Sequence, residues 1–324
     1  MRYAGLSRRA LPAAHNACAI DAYPFMSKIG VVTVTYNSGS VIAPFLACVF
    51  AQDYSDFALY LVDNASKDDT LEKVRACTDP RVIVLASPEN LGVAAGNNSG
   101  IQKSLEDGCD FVLLINNDTE FPPDTFRGLL EALHQLKCDM VVPKIMYHDT
   151  PDVLWAAGGF FIRPFAITHH HGDGSRDDGR YAKPRKVEYS PTCCMMIRKE
   201  VFERVGLMDE RYFVYYDDTD FCLRASRAGV SLYYWPHSTM THKVSSLSGG
   251  HLSDFGLKIN SRNQAYFILK NYPKYLWLIY LLGAQIFFLG KLVRRVESTK
   301  TYLLRQRHFL QGFALYRAAQ RQQA

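Results

Sequence analysis

Through its first half the chain alternates short apolar runs with amphipathic stretches. Ile29 to Thr35 (IGVVTVT) is a β-branched strand pattern that ends at Tyr36 and Asn37, and Ser38-Gly39-Ser40 then reads as the cap of a helix to about Gln52. The unit repeats. Phe57 to Val62 is a second strand ending at Asp63-Asn64, with a helix from about Asp68; Val82 to Ala86 is a third, followed by a Gly/Asn-rich turn and a helix to about Glu106. The fourth, Phe111 to Ile115, is an unbroken apolar run that stops at Asn116, Asn117 and Asp118, before a helix start at Pro122-Pro123-Asp124. Four β-then-α units in succession predict an α/β fold, a mostly parallel sheet with helices on both faces.

After about residue 143 the texture changes to short strands, loops and aromatics. Thr192 to Arg198 (TCCMMIR) reads as a buried strand, Lys199 to Val205 as a short helix closed by Gly206, and Leu232 to Trp235 as a strand leading to Pro236. His242-Lys243 falls in a Ser/Gly-rich loop through Gly250, and Ser253 to Asn271 is helical in pattern. Tyr275 to Gly290 runs sixteen residues without a charge, short of the roughly 20 that span a bilayer. Its aromatic start and basic flank fit an interfacial helix touching anionic lipid; a core helix or a dimer interface has the same pattern.

Charge sharpens this division. The formal net charge is +5, but residues 291 to 324 carry eight Lys/Arg against Glu297, a +7 tail that leaves −2 for the rest. The basic balance therefore describes one segment and gives no support to nucleic-acid binding by the whole surface. Eight cysteines lack CxxC pairs or a ladder of spacings, the usage of a reduced, cytosolic protein. The first 25 residues have no apolar secretory core and read either as a disordered extension before Met26 or as the product of a start codon upstream of the native one. The expected divisions are 1–27, a catalytic domain at 28–270 (halves 28–143 and 144–270), and a basic helical segment at 271–324.

Ligands of doubly wound sheets bind at the carboxyl ends of strands, which makes Asp118 a candidate to hold a divalent cation against a diphosphate. Asp63 suits either hydrogen bonds to a base or ribose, or the capping of a turn. Gly92, Gly96, Asn97, Asn98 and Gly100 read as a flexible loop opening a helix, able to approach phosphate or sugar. His169, His170 and His171 lack metal-site spacing and read as an exposed loop near an acceptor. From Asp209 to Asp220, five carboxylates are interleaved with aromatics; Asp217, Asp218 and Asp220 suit a helix first turn, a poised base, or both.

Taken in order, VTVTYNSG (32–39), VDNASKDDT (62–70), ENLGVAAGNNSG (89–100), LLINNDT (113–119), MMIRKEVFERVGLMDERYFVYYDDTDFCLR (195–224), THK (241–243) and SRN (261–263) resemble the family 2 inverting glycosyltransferases of the GT-A fold, in the rhamnosyltransferase-like branch. The resemblance covers about residues 28 to 270. It implies a nucleotide pocket from Thr35, Tyr36, Asn37, Asp63 and Asn64, and a loop beside ribose and diphosphate from Asn90, Gly92 and Asn98. Asn116-Asn117-Asp118 is similar to the DxD element, with Asn117 toward the nucleotide and Asp118 toward Mg2+ or Mn2+; His242 matches a position that completes the metal shell, and Arg262 one that contacts phosphate. Asp217-Asp218 stands where the family has Glu-Asp, Asp218 being the base and Asp220 its competitor. The implied donor is dTDP-rhamnose, then UDP-linked sugars; the acceptor is a glycan or polyprenyl-linked saccharide at the inner face of the membrane, with a homo-oligomer through the C-terminal segment as a further expectation.

Two departures alter these expectations. Asn116 at the first DxD position predicts low intrinsic metal affinity, and Asp217 shortens the neighbour of the expected base. A sugar-1-phosphate nucleotidyltransferase would open with a Gly-rich, Arg-containing loop where this chain has TYNSGS. A non-catalytic nucleotide-sugar sensor would bind donor without releasing nucleoside diphosphate.

Overall fold

The structure, a computed structural model, describes residues 27–244 and 253–323. The expected N-terminal extension lies outside them save for its last residue, as does most of the Ser/Gly-rich loop after Lys243. Four parallel strands open the fold: β1 (Ile29–Thr35), α1 (Ile42–Phe50), β2 (Phe57–Asn64), α2 (Thr70–Arg75), β3 (Val82–Ser87), α3 (Gly92–Glu106) and β4 (Phe111–Ile115). There follow β5 (Thr119–Glu120), α4 (Thr125–Gln135), β6 (Met140–Tyr147), β7 (Leu154–Ala156), β8 (Gly159–Ile162), β9 (Ile167–His170), β10 (Arg185–Lys186), β11 (Cys194–Arg198), α5 (Lys199–Val205) and α6 (Asp217–Arg227). The chain closes with β12 (Leu232–His242), α7 (Asp254–Asn271), α8 (Trp277–Val293) and α9 (Thr299–Gln323).

The main sheet runs β10-β12-β6-β11-β4-β1-β2-β3, with β5 on β12 and β7 on β6; β8 and β9 form a separate hairpin. The parallel half ends at β4, because β11 enters antiparallel between β4 and β6. Alternation along the buried strands divides the core. Val32, Val112 and Leu114 pack with α3, α6 and α7, whereas Val31, Leu113 and Phe111 pack with α1 and α4.

Four local expectations need correction. The turn before α1 is held by the Ser38 carbonyl, which accepts from Val41 and Ile42, and not by a side-chain cap. The Gly/Asn-rich stretch is not a loop but lies mostly inside α3, where Gly96 and Gly100 press on β1: a Cβ at Gly100 would sit 2.4 Å from Val32 Cγ1. His169 and His170 belong to β9. Finally β12 runs past Pro236 to His242, accommodating the proline at a register shift between Trp235 and Thr239.

Candidate active site

At the tip of β4 the backbone turns through Asn116 and Asn117 to Asp118, then enters β5. Its pairing with β12 sets Thr119 opposite His242, and Lys243 N–H donates to the Asp118 carbonyl at 2.9 Å. Two residues 124 positions apart are thereby fixed side by side, with His242 Nε2 3.2 Å from Asp118 Oδ1. Both are only 7% exposed. Trp155 packs on the His242 ring at 4.5 Å, and His242 Nδ1 is buried with no hydrogen-bond partner among the described residues. Asn117 braces the tip from below, its amide donating to the Val34 carbonyl of β1 at 2.6 Å.

A carboxylate oxygen beside an imidazole nitrogen is a donor set that suits Mn2+ better than Mg2+, which prefers oxygen ligands alone. Among the described residues no group of three or more His, Cys, Asp or Glu side chains is arranged to hold a metal ion. A cation held by this pair alone would need phosphate and water at its remaining positions.

Asp118, His242, Asp217 and Asp218 line one cleft of about 530 Å³. The two acids open α6, where helix N–H groups favour negative charge. Burial and the adjacent Asp218 push the Asp217 carboxyl up to about 8. Burial also raises Asp218, opposed by hydrogen bonds from Tyr189 Oη (2.9 Å) and from the Thr219 N–H and hydroxyl. Asp220 is separated from the cleft: it accepts from Tyr212, Arg224, Lys270 and Asn271 and is fully buried. Its carboxylate is taken up by these four partners and does not line the cleft that holds Asp217 and Asp218.

The approach to these acids is strained. Phe213, Tyr215 and Tyr216 adopt φ of 67°, 63° and 68°, a left-handed region that aromatic residues rarely occupy. Asn263 of α7 holds the turn, its Nδ2 donating to the carbonyls of Tyr212, Val214 and Tyr215 at 2.8–2.9 Å. The Phe213 carbonyl accepts from Val93 and Ala94 at the α3 N-terminus. Arg262 is in the same clamp; its guanidinium donates to the Arg211 and Tyr212 carbonyls and to Asn263 Oδ1, and burial lowers its pKa.

Of the residues expected to meet the nucleotide, Thr35, Tyr36, Asn37, Asp63 and Asn64 lie at the carboxyl ends of β1 and β2, whereas Asn90, Gly92 and Asn98 belong to the entry and body of α3. Asp63 accepts from Thr35 Oγ1 (2.8 Å) and the Ser66 N–H (3.0 Å). Asn37 Oδ1 accepts from Lys67 N–H, while Tyr36 stands 43% exposed. Asn90 accepts from Gly92 N–H, Asn64 donates to the Gly92 carbonyl, and Asn98 joins α3 to Met208 and Glu210. None of these eight lines the cleft that holds the two acids, whereas Val34, Asn97, Asn116 and Asn117 do.

Several lining residues escaped the sequence reading: Trp155, Thr168, Tyr189 and Cys193 among them. Asn263 was inside a recognised motif, but nothing in its neighbours signalled three carbonyls brought to it from fifty residues away. Tyr189 had no motif of its own. Only the packing of the β8–β9 hairpin beside α6 gives it a partner.

GalNAc-T7, solved with UDP, GalNAc and Mn2+, superposes on the chain with a TM-score of 0.62 at 14% identity, over 89% of this chain and 55% of that one. The chain thus spans about half of that protein's length, and the fold is that of the GT-A glycosyltransferases. Family comparison goes further. The model of Glycosyl transferase family 2 matches residues 30–206, more than half of the chain, and the chain belongs to that family. Among curated relatives, the dTDP-rhamnosyl transferase RfbF of Shigella flexneri is 26% identical over 252 residues, covering 76% of this chain and 78% of that protein. The N-acetylglucosaminyl-diphospho-decaprenol L-rhamnosyltransferase of Mycobacterium tuberculosis is 26% identical over 237 residues, 68% and 77% of the two chains.

Proposed function

We propose that this glycosyltransferase moves a sugar, rhamnose from dTDP-rhamnose before UDP-linked hexoses, with inversion onto a hydroxyl of a cell-surface glycan or lipid-linked acceptor. The observation that carries the reading is the convergence of the Asp118–His242 pair and the Asp217–Asp218 pair on one cleft. Asp118 and His242 would hold a divalent cation, which when bound would neutralise charge developing on the departing nucleoside diphosphate. With Asn116 in place of a second acid, the cation site would be weak until a diphosphate completed it. Asp218 accepts the proton of the attacking hydroxyl, oriented by Tyr189 and Thr219. Asp217, whose carboxyl is pushed up to about 8, lowers the cost of charge beside it by staying protonated at neutral pH.

Thr35, Tyr36, Asn37, Asp63 and Asn64 form the nucleotide shelf, with Asn90, Gly92 and Asn117 shaping its edge; Asn98, whose amide is bonded to Met208 and Glu210, braces α3 instead. Arg262 donates through Nε and Nη2 to three oxygens of the clamp, so a contact with phosphate falls to Nη1. The rhamnosyl assignment rests on relatives at 26% identity. The chain acts at the cytoplasmic face of the membrane, held peripherally through its C-terminal segment. A thermal-shift screen of nucleotide sugars, each with and without Mn2+, tests the proposal. The expected result is stabilisation by one donor, larger with the metal, and nucleoside diphosphate release when acceptor is added. Absence of any stabilising nucleotide sugar overturns it, and binding without release makes the protein a sensor.

A further inference from the structure

α8 presents two chemically different faces. Leu278, Ile279, Leu282, Ile286, Leu289 and Val293 recur at helical spacing and are 48% to 73% exposed. The opposite face is seated on the catalytic domain at the turn Arg163–Phe165. Gly283 lies so close to that turn that a Cβ would overlap the Pro164 carbonyl oxygen, and Phe287 stacks on Phe165 with ring centroids 5.6 Å apart. Phe287 also lines the catalytic cleft, as do Thr168 and His169 of β9, the strand that leaves this turn.

The stretch Lys274–Val293 is long and apolar enough to cross a membrane, yet the seating argues otherwise. Gly283, Ala284 and Phe288 are buried against protein at mid-helix, so the helix cannot be surrounded by lipid while the domain stays in water. A helix lying in the interface, apolar stripe down, satisfies both faces. The charge selects the lipid. From Lys274 to Val296 there is no acidic residue, Arg294 and Arg295 are exposed at the helix end, and Glu297 is buried against Arg305 and Lys291. This surface complements anionic headgroups.

We infer that α8 is both the docking surface for an anionic bilayer and a wall of the acceptor end of the cleft, so that the acceptor reaches Asp218 from the membrane plane as a lipid-linked saccharide. The coupling is physical: the turn beneath α8 is also tied to the site by Tyr216 Oη, which donates to the Ala166 carbonyl at 3.1 Å, and to α7 by Gln264, which donates to the Phe165 carbonyl. This inference rests on the transferase reading above and deepens it by naming the side from which the acceptor arrives.

The test uses the full chain and vesicles of phosphatidylcholine with or without 30 mol% phosphatidylglycerol (a composition on the order of anionic leaflets). Cosedimentation should require the anionic lipid, and hydrogen exchange in the bound state should slow in both α8 and the segment from Arg163 to His170. The exposed-stripe variant Leu282→Glu/Ile286→Glu should lose at least about tenfold in vesicle affinity, and Arg294→Glu/Arg295→Glu should weaken it in a salt-dependent way, both with donor-induced thermal shifts unchanged. Failure to bind anionic vesicles overturns the inference, as does a stable dimer in sedimentation that hides the stripe. Protection confined to α8, with β9 unchanged, overturns the shared wall. Loss of donor binding in the parent chain would instead strike the transferase reading, which the donor arm reports separately.

Discussion

At Asp217, burial and a neighbouring charge act in the same direction, and both favour the protonated acid. Between the ordinary carboxyl value of 3.8 and about 8 the folded state holds a proton that the unfolded state has released. Stability therefore falls as pH rises through that window. Asp217→Asn, which cannot ionise, should melt higher than the parent at pH 8, with the difference closing toward pH 4; urea titrations at both values check it. In the proposed mechanism Asp218 has the opposite requirement, since a general base acts deprotonated. Asp218→Asn should cut turnover by about 10²–10⁴-fold, the range of a general base, while donor-induced thermal shifts stay as in the parent. The motif made both acids visible in the sequence. Tyr189, which orients one of them, was invisible, because a single tyrosine in a short loop gains meaning only from the carboxylate 2.9 Å away.

Elements are fixed in this molecule by close approach as much as by pattern. α3 contains four glycines and asparagines between Gly96 and Gly100 that argue for a loop by propensity, yet it lies flat on β1 because Gly96 and Gly100 allow it. Gly100→Ala should cost about 1–3 kcal/mol through overpacking against Val32, seen as a lower urea midpoint with donor affinity retained in what remains folded. α7 works differently. Its Asn263 holds three carbonyls of the strained turn that aims α6, so Asn263→Ala should lower kcat by about tenfold or more, equivalent to ~1.4 kcal/mol. KM for the donor should be unchanged and the pH optimum displaced. A purely structural role would lower stability without moving the pH profile.

Across the whole molecule the C-terminal segment is integral to the packing and not a detached tail. α9 lies along α7 so closely that a Cβ on Gly312 would stand 2.4 Å from the Arg262 carbonyl oxygen. The joint between α8 and α9 is closed by Glu297, which accepts from Arg305 at 2.7 and 2.8 Å and faces Lys291 at 3.2 Å. Glu297 and Arg305 are 7% and 6% exposed. Removing one partner strands a buried charge, so Glu297→Ala should cost about 3–5 kcal/mol. Limited proteolysis should then cut first in α9, before the catalytic sheet opens.

The sequence by itself determined the parallel half of the sheet and the acids at its edge, because strand and helix periods are local and a carboxylate at a strand tip needs no partner to be seen. It also marked α8 as apolar with a basic flank. What it did not contain was direction and company. β11 entering antiparallel, β5 pairing with β12 to bring His242 to Asp118, and Asn263 beneath the tyrosine turn all join residues dozens of positions apart. Such contacts depend on which surfaces meet once the sheet is closed. Only the tertiary structure decided that Asp118 has a nitrogen donor beside it, that Asp220 is enclosed, and that the apolar helix forms part of the catalytic cleft.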